Sequence, residues 1–280
     1  FLDVLFEEPY KNLIQINEKK LKNRHKFSVI ISTYNRCQQM IECINRIRAN
    51  SYFPVEIIIA CDPCNDGTVE YLRNHSIENN IIAIVNDNHI GSVKSYNKGM
   101  QAATGNVIAM MADDFYVMPG WDLAAAIMLD ADKSIGAAVP LTVYESGQVE
   151  SPGENCPYKS TIYEWLGKVP FVNTGDVKYN FITNFPQYHI PRECDYAFTP
   201  IIRRECFDKL GLLDEQYEHY FVDPDLGYRI QQLGYKNVYC PTIVVVHHEL
   251  RKKEDLSFVR ERFKKDLPKF VKKWGIYRGF

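Results

Sequence analysis

The stretch that decides the fold reads Val107-Ile-Ala-Met-Met-Ala-Asp-Asp-Phe-Tyr-Val-Met-Pro-Gly-Trp121. Its first six residues are apolar with no polar alternation, which is typical of a strand covered on both faces in a parallel α/β sheet. Asp113 and Asp114 follow at the carboxyl end of this strand, the edge where open α/β sheets bind ligands. Two carboxylates there are candidates for holding a divalent cation, and the alternative interpretation is a helix cap or a turn before Pro119.

Three apolar runs lie upstream, and each is followed by a polar turn and a segment of helical periodicity. They are Phe27 to Ser32, Val55 to Cys61 and Ile81 to Val85. Strands that alternate with helices in this way predict a parallel, Rossmann-like sheet with right-handed crossovers. Because the carboxyl ends of parallel strands share one edge, we expect the polar residues that follow them to form one binding site. These residues are Thr33, Asp62, Lys94 and Asp114.

The loop after the first strand, Thr33-Tyr34-Asn35-Arg36, carries hydroxyls, an amide and a guanidinium. It lacks both the Gly-x-Gly-x-x-Gly fingerprint and the Walker lysine. It therefore does not wrap a pyrophosphate as Rossmann dinucleotide-binding folds or P-loop folds do.

The second half of the chain adds an acidic segment and a histidine pair. Asp223 and Asp225 flank Pro224, a pattern that a helix N-terminus would explain by itself. His247 and His248 end a last apolar strand, where a histidine beside an acidic rim is a candidate third metal ligand and one of the two is free to be a surface residue. Residues 144–194 are irregular and rich in aromatic rings, which suit either a sugar acceptor or burial under the loops.

Composition sets limits on the function. A net charge of −2 gives no global attraction to nucleic acid, and no apolar run approaches the roughly 20 residues of a membrane span. We therefore expect a cytoplasmic protein. The 8 cysteines are scattered, as free thiols in a reducing compartment would be, and a zinc or redox role for Cys61 and Cys64 lacks the second pair that such sites need.

The predicted domain organisation has three parts. Residues 1–26 form a helical, basic lead, residues 27–250 form the main domain, and residues 251–280 form a basic amphipathic tail. The tail holds 11 basic and 4 acidic residues. Its apolar face either packs on its own domain or makes peripheral contact with the inner face of a membrane.

In order and spacing, these motifs resemble the family 2, inverting glycosyltransferases of the GT-A fold, from about Phe27 to His248. The likeness rests on Ser32 to Arg36, Cys61 to Thr68, Gly91 with Asn97-Lys98-Gly99, Ala112-Asp113-Asp114 before Pro119-Gly120-Trp121, and Val222 to Leu226 with Arg229. The resemblance implies an α/β fold consisting of a single GT-A domain, with a mostly parallel central sheet flanked by helices. It divides that domain into a nucleotide-sugar-binding half, residues 27–121, and an acceptor-binding half, residues 122–250.

The resemblance also implies roles for the donor side. Asp62 would hydrogen-bond the nucleotide base, and the nucleoside pocket would be lined by Thr33, Tyr34, Asn35 and Arg36. Lys94 and Asn97 would complete the donor site. A UDP-sugar is the favoured donor, and GDP- and dTDP-sugars are alternatives.

For the chemistry, the resemblance implies that Asp114, with Asp113 and His247, holds Mn²⁺ or Mg²⁺ on the diphosphate. Such a cation neutralises the charge that develops on the leaving group. Asp223 would take the proton from the attacking hydroxyl of a glycan, a lipid-linked sugar or a surface-polysaccharide precursor. The donor sugar, the acceptor and the linkage do not follow from these residues.

Two positions depart from the family pattern. Ala112 replaces the first acid of the metal motif, and Val222 replaces the glutamate before the expected base. We therefore expect leaner metal coordination and a less acidic environment for the base. The competing hypotheses are a nucleotidyltransferase, which normally has a Gly-rich, Lys-bearing first loop, and a non-catalytic nucleotide-sugar binder.

Overall fold

The computed structural model describes residues 24–77, 80–145, 149–151, 191–195, 197–248 and 256–275. Most of the predicted basic lead and residues 152–190 of the aromatic-rich region lie outside the described residues.

The described chain forms one ten-stranded sheet with helices on both faces. The strands are β1 (Phe27–Thr33), β2 (Val55–Cys61), β3 (Ile81–Val85), β4 (Val107–Ala112), β5 (Phe115–Val117), β6 (Ile135–Tyr144), β7 (Val149–Ser151), β8 (Arg192–Cys194), β9 (Ile201–Arg203) and β10 (Lys236–His247). The helices are α1 (Cys37–Asn50), α2 (Thr68–His75), α3 (Ser92–Ala102), α4 (Trp121–Ala131), α5 (Arg204–Leu210), α6 (Val222–Gln232) and α7 (Leu256–Trp274).

The strand order is β3-β2-β1-β4-β9-β6-β10-β5, with β7 on β6 and β8 on β10. The long ladders β3-β2-β1-β4 and β6-β10 are parallel. Short β9 joins these two groups by antiparallel pairing to both β4 and β6. The α/β prediction with a mostly parallel central sheet is therefore confirmed, and the antiparallel junction is an addition to it.

Two cores cover the sheet because neighbouring residues of a strand point to opposite faces. Ile31 of β1 packs with α1, α2 and α4, whereas Ile30 packs with α3, α5, α6 and α7. Both side chains are fully buried, as are most residues of β4. This two-sided burial explains the unbroken apolar runs in the sequence.

The C-terminal tail is helical over much of its length, and α7 contains Pro268. Phe263 and Phe270 are buried in the second core, so the apolar face of the tail packs on its own domain. Membrane contact through the tail's basic face stays a prediction. No helix among the described residues is both long enough and apolar enough to cross a bilayer.

We predict that Gly227→Ala destabilises the protein by about 1–3 kcal/mol, although alanine is the better helix former. A Cβ at Gly227 in α6 would overlap the carbonyl oxygen of Asp195, which belongs to the backbone and cannot rotate away. Denaturant unfolding measures the change, and Gln232→Ala at an exposed position of α6 is the control. An unfolding free energy equal to that of the wild type would contradict this packing.

Candidate functional site

A cavity of about 720 Å³ opens at the carboxyl edge of the parallel strands. Most of the side chains expected in the site line it, namely Thr33, Tyr34, Arg36, Asp62, Lys94, Asp113, Asp114, Asp223 and His247. The strand order explains this convergence, because β1, β2 and β4 are neighbours and β10 reaches the same edge from the other half of the sheet. Residues from both halves of the chain thus share one cavity.

The floor of the cavity is the acid pair that follows β4. Both carboxylates are buried, and the Arg36 guanidinium donates to Asp114 Oδ2 and, over 3.2 Å, to Asp113 Oδ1. The Thr33 hydroxyl donates to the other oxygen of Asp113 over 2.6 Å. The loop after β1 therefore supplies both a hydroxyl and a cation to the end of the neighbouring strand.

The two acids differ in pKa. Burial and the charge of Asp114 raise the pKa of Asp113 to about 6, against the attraction of Arg36. Burial also acts to raise the pKa of Asp114, but hydrogen bonding to His247 and the charge of Arg36 outweigh it and lower that pKa. Asp114 is therefore the firmly ionised member of the pair.

His247 lies at the end of β10 between two acids. Its Nε2 is 3.6 Å from Asp114 Oδ2, and its Nδ1 is 2.9 Å from both oxygens of Glu150. Burial acts to lower the pKa of His247, but hydrogen bonds to both acids raise it to about 9. Glu150 thus orients the ring so that Nε2 faces Asp114, the arrangement in which carboxylates orient metal-binding histidines.

Asp114 and His247 are the candidate ligands of a divalent cation. Across the described ranges, no group of three or more His, Cys, Asp or Glu side chains could hold a metal ion. Asp114 and His247 do offer two donors at adjacent positions. A cation held by one or two protein ligands and completed by substrate phosphates is the usual arrangement for Mg²⁺, so these residues fit a substrate-assisted site.

Asp62 follows β2 and is 3% exposed. One carboxylate oxygen accepts from Asn86 Nδ2 over 2.9 Å, and the other accepts from the backbone N–H of Gly91 over 2.9 Å. His89 Nδ1 lies 3.0 Å from the second oxygen, and its ring meets Tyr34 edge to face at 4.7 Å. Asp62 therefore shapes the loop between β3 and α3, and two aromatic rings form the adjacent wall.

Lys94 lies in the first turn of α3, is exposed and lines the cavity. Within the described part of the chain its ammonium makes no ion pair, in contrast to Arg36. Gly91 caps this helix with φ of +84°, a conformation that favours glycine. A free cation beside a helix N-terminus suits an anion such as a diphosphate.

Asp223 lies in the first turn of α6 on the far side of the cavity. Burial raises its pKa to about 7, and apart from its own backbone no described residue hydrogen-bonds its carboxylate. The pKa of partly buried Tyr96 is raised by desolvation and then by the charges of Asp113, Asp223 and Asp114. All three carboxylates therefore lie close enough to act on a single phenol.

Two predicted site residues do not line the cavity. Asn35, with φ of +53°, accepts a hydrogen bond from the backbone N–H of Asn65 and so joins two loops. Asn97 is buried and bonds both backbone groups of Leu213 as well as Glu215. In this structure both asparagines support the loops around the site, and direct contact with a donor stays a prediction for them.

Sequence reasoning missed several cavity residues. His89 stood in a polar turn and carried no motif, and Glu150 belongs to β7, a strand of only three residues. Tyr96 lies on a helix of mixed polar and charged residues, and its hydroxyl donates to the carbonyl of Met111 over 2.7 Å. The one usable signal was the position of His89 between a strand end and a helix start.

The cysteine pair lies next to the donor side of the cavity. Cys61 is buried, and burial raises the pKa of its thiol to about 12. Cys64 is partly exposed, and burial likewise raises its pKa. Protonated thiols are poor nucleophiles and poor metal ligands, so both cysteines act as small packing residues here.

The fold is that of the GT-A glycosyltransferases. The crystal structure of GalNAc-T7 with UDP, GalNAc and Mn²⁺ superposes with a TM-score of 0.60 at 18% identity, covering 81% of this chain and 44% of that one. The model of glycosyl transferase family 2 matches residues 28–188. The chain belongs to this family.

Curated relatives share modest identity with the chain. YwdF of Bacillus subtilis, an uncharacterized glycosyltransferase, is 23% identical over 256 residues, which cover 90% of this chain and 85% of YwdF. The glucosyl-dolichyl phosphate glucuronosyltransferase of Haloferax volcanii is 29% identical over 98 residues, which cover 34% of this chain and 31% of that enzyme. The chain spans only 20–31% of the length of the first three curated relatives it matches.

We predict that the His247 imidazole titrates near pH 9 and that Glu150→Gln lowers this pKa. Two acids hold the proton on the ring, and the variant removes one negative charge without changing the side-chain shape. The charged ring stabilises the folded protein. This contribution is fully present below about pH 6.5, the pKa of a histidine in the unfolded chain, and is lost as the pH rises through about 9. NMR titration of the ring protons measures both pKa values.

A wild-type midpoint near pH 6.5 would contradict the placement of His247 between the two acids.

Proposed function

We propose that the chain is a metal-assisted, inverting glycosyltransferase that moves a sugar from a nucleotide-sugar to a hydroxyl group. One observation carries this proposal: a single cavity holds Asp114, ionised beside two cations, and Asp223, with a pKa raised by burial to about 7. Two carboxylates whose environments push their pKa values apart are suited to different tasks in one reaction.

The donor would lie along the loops that follow β1, β2 and β3. Tyr34 and His89 offer ring surfaces for a base, and Asp62, next to His89, holds the loop that carries that ring. Lys94 and the N-terminus of α3 offer positive potential for the diphosphate. A UDP-sugar is the favoured donor.

A divalent cation would be held by Asp114 and His247, with Asp113 and Glu150 behind them, and its binding would displace the proton from the His247 ring. When bound, such a cation supplies charge neutralisation to the departing diphosphate. Arg36 already contacts both acids, so it helps to keep this carboxylate pair ionised and in place.

Asp223 would act as the general base. Its carboxylate takes the proton of the acceptor hydroxyl while that oxygen attacks C1 of the sugar and the bond from C1 to the phosphate oxygen breaks. Attack from the face opposite the leaving group inverts the anomeric centre. With a pKa of about 7, Asp223 is a stronger base than an exposed aspartate and is still largely ionised above neutral pH.

The acceptor would enter beside Asp223, along residues 217–222 and Phe198. Aromatic rings and polar groups on this side suit a glycan or a lipid-linked sugar. The basic face of α7 would allow peripheral membrane contact for a lipid-linked acceptor.

We predict that Asp223→Asn lowers kcat by about 10²–10⁴-fold and leaves donor binding intact, because only the proton acceptor is lost. In the wild type, kcat/KM should rise with pH through an apparent pKa near 7, since the protonated carboxyl cannot act as a base. Initial rates of sugar transfer between pH 5 and pH 9 measure both effects. Asp208→Asn, at an exposed site, is the control.

The same variant should melt at a higher temperature. Burial raises the pKa of Asp223 to about 7, so ionising this carboxyl costs more free energy in the folded protein than in the unfolded chain. The wild type loses stability as the pH rises from about 4 to about 7, so the gain from asparagine should grow over that window and then level off.

Full transfer activity in Asp223→Asn would contradict the proposed base.

We predict that a UDP-sugar raises the melting temperature more than GDP-, dTDP- or CMP-sugars do, and that Mn²⁺ adds to this increase. A ligand at 100 times its Kd stabilises the native state by about 2.7 kcal/mol. Asp114→Asn should remove the Mn²⁺ increment, and Lys94→Ala should reduce the increase with or without the metal.

Lys133→Ala, at an exposed lysine that pairs with Asp130, is the matched control for Lys94→Ala. A melting temperature unmoved by any of the four sugar nucleotides would argue against the donor site. An unchanged Mn²⁺ increment in Asp114→Asn, together with full turnover in excess chelator, would argue against the metal role.

A further inference from the structure

The segment that carries Asp223 is attached to the C-terminal helix at several points. Residues 217–223 form a continuous wall of the cavity on the acceptor side. This segment has no strand pairing, and α6 begins only at Val222. Its conformation must therefore be set by contacts from elsewhere in the chain.

Asp266 of α7 provides the first attachment. It is 0% exposed, and its carboxylate accepts hydrogen bonds from three consecutive backbone N–H groups, those of Glu218, His219 and Tyr220. These distances lie between 2.9 and 3.0 Å. Lys269, one turn further along α7, balances the charge at 2.9 Å. A buried carboxylate with three backbone donors fixes the direction of the chain.

Phe221 provides the second attachment. Its φ of +65° lies in the left-handed region, where a bulky residue is strained and persists only if its surroundings hold it. Its ring lies 4.8 Å from the ring of Phe263 and 5.0 Å from that of Phe270, both on α7. The apolar face of the tail thus packs against the strained residue that immediately precedes α6.

Asp225 provides the third attachment, two residues beyond Asp223. It is 1% exposed, and its Oδ1 accepts from Trp274 Nε1 over 2.8 Å and lies 2.6 Å from Lys273 Nζ. Both partners are in the last turn of α7. Helix α7 therefore contacts the chain both before Asp223, at residues 218–221, and after it, at Asp225.

We propose that α7 positions the general base. Asp266 is a positioning residue that orients the Asp223 carboxylate toward the acceptor hydroxyl. This inference rests on the proposed role of Asp223. The tail therefore supports the acceptor side of the site. The α7 side chains that hold the segment lie between Phe263 and Trp274, and none of them is among the residues proposed to bind the nucleotide-sugar.

The test compares Asp266→Asn with Asp122→Asn in the full 280-residue chain. Asp122 is a close match: it is 0% exposed and its carboxylate accepts from the backbone N–H groups of Tyr52, Phe53 and Leu123. It differs in that the loop it holds precedes β2, at the opposite edge of the sheet and away from the cavity.

Asp266→Asn should lower kcat by about ten- to a hundredfold with donor KM changed less than about twofold, because misplacing a base affects the chemical step and not the donor contacts. Asp122→Asn should leave kcat unchanged. Amide hydrogen exchange of residues 215–225 should accelerate in Asp266→Asn and not in Asp122→Asn. If Asp266→Asn fails to fold, Trp274→Phe is the alternative test, because it removes only the indole N–H that donates to Asp225. We expect Trp274→Phe to lower kcat less than Asp266→Asn would.

Equal losses of kcat in the Asp266 and Asp122 variants would overturn the inference, as would wild-type kcat in both Asp266→Asn and Trp274→Phe. Unchanged exchange of residues 215–225 in Asp266→Asn would also overturn it. If the wild type transfers no sugar, the proposed function fails, whereas the exchange measurement still decides whether α7 holds this segment.

Discussion

The contact of Arg36 with two buried carboxylates is the interaction on which the site depends. Asp113 and Asp114 are adjacent in sequence and almost fully covered, so two negative charges would repel each other at the end of a central strand. Arg36 comes from the loop after β1, and His247 comes from β10 in the other half of the sheet. Because the acid pair needs cations from both sides, the two halves of the chain must meet at this point.

This charge balance also explains why the carboxylates that line the cavity differ in pKa. Asp114 has two cationic neighbours and is held in its ionised form, whereas Asp223 is partly buried and has no cationic partner among the described residues. Burial alone favours the neutral form, and burial with a cation favours the charged form. One cavity therefore holds a firmly ionised carboxylate and a second carboxylate whose pKa is raised to about 7. The distance between these environments along the chain is more than a hundred residues, and only the fold brings them together.

Much of this fold could be predicted because its decisive elements are repetitive. Burial produces the apolar runs of β2 and β4, and β3, although largely exposed at the edge of the sheet, is also apolar, so all three could be bounded from sequence and the polar residues at their ends could be assigned to one edge. Strand β9 has three residues and no such run, so the antiparallel junction between the two parallel groups left no periodic signal. Glu150 and Asp266 were equally hidden, because an acid in a short strand or on a charged helix resembles any solvated residue until its partners are known.

The buried acids show why residue type alone could not identify the site. Asp62, Asp122 and Asp266 all accept hydrogen bonds from backbone N–H groups, and each thereby fixes a loop that has no strand or helix of its own. Asp122 does this at the edge of the sheet away from the cavity, whereas Asp62 does it inside the cavity, where the same carboxylate faces the aromatic wall. A carboxylate whose oxygens are largely occupied by the protein recognises a ligand mainly by shaping the loop around it. Apart from its own backbone, no described residue hydrogen-bonds the Asp223 carboxylate, so its lone pairs are available for the proposed proton transfer. Asp223, the proposed base, therefore differs from Asp62, Asp122 and Asp266 in its hydrogen-bonding partners and not in its residue type.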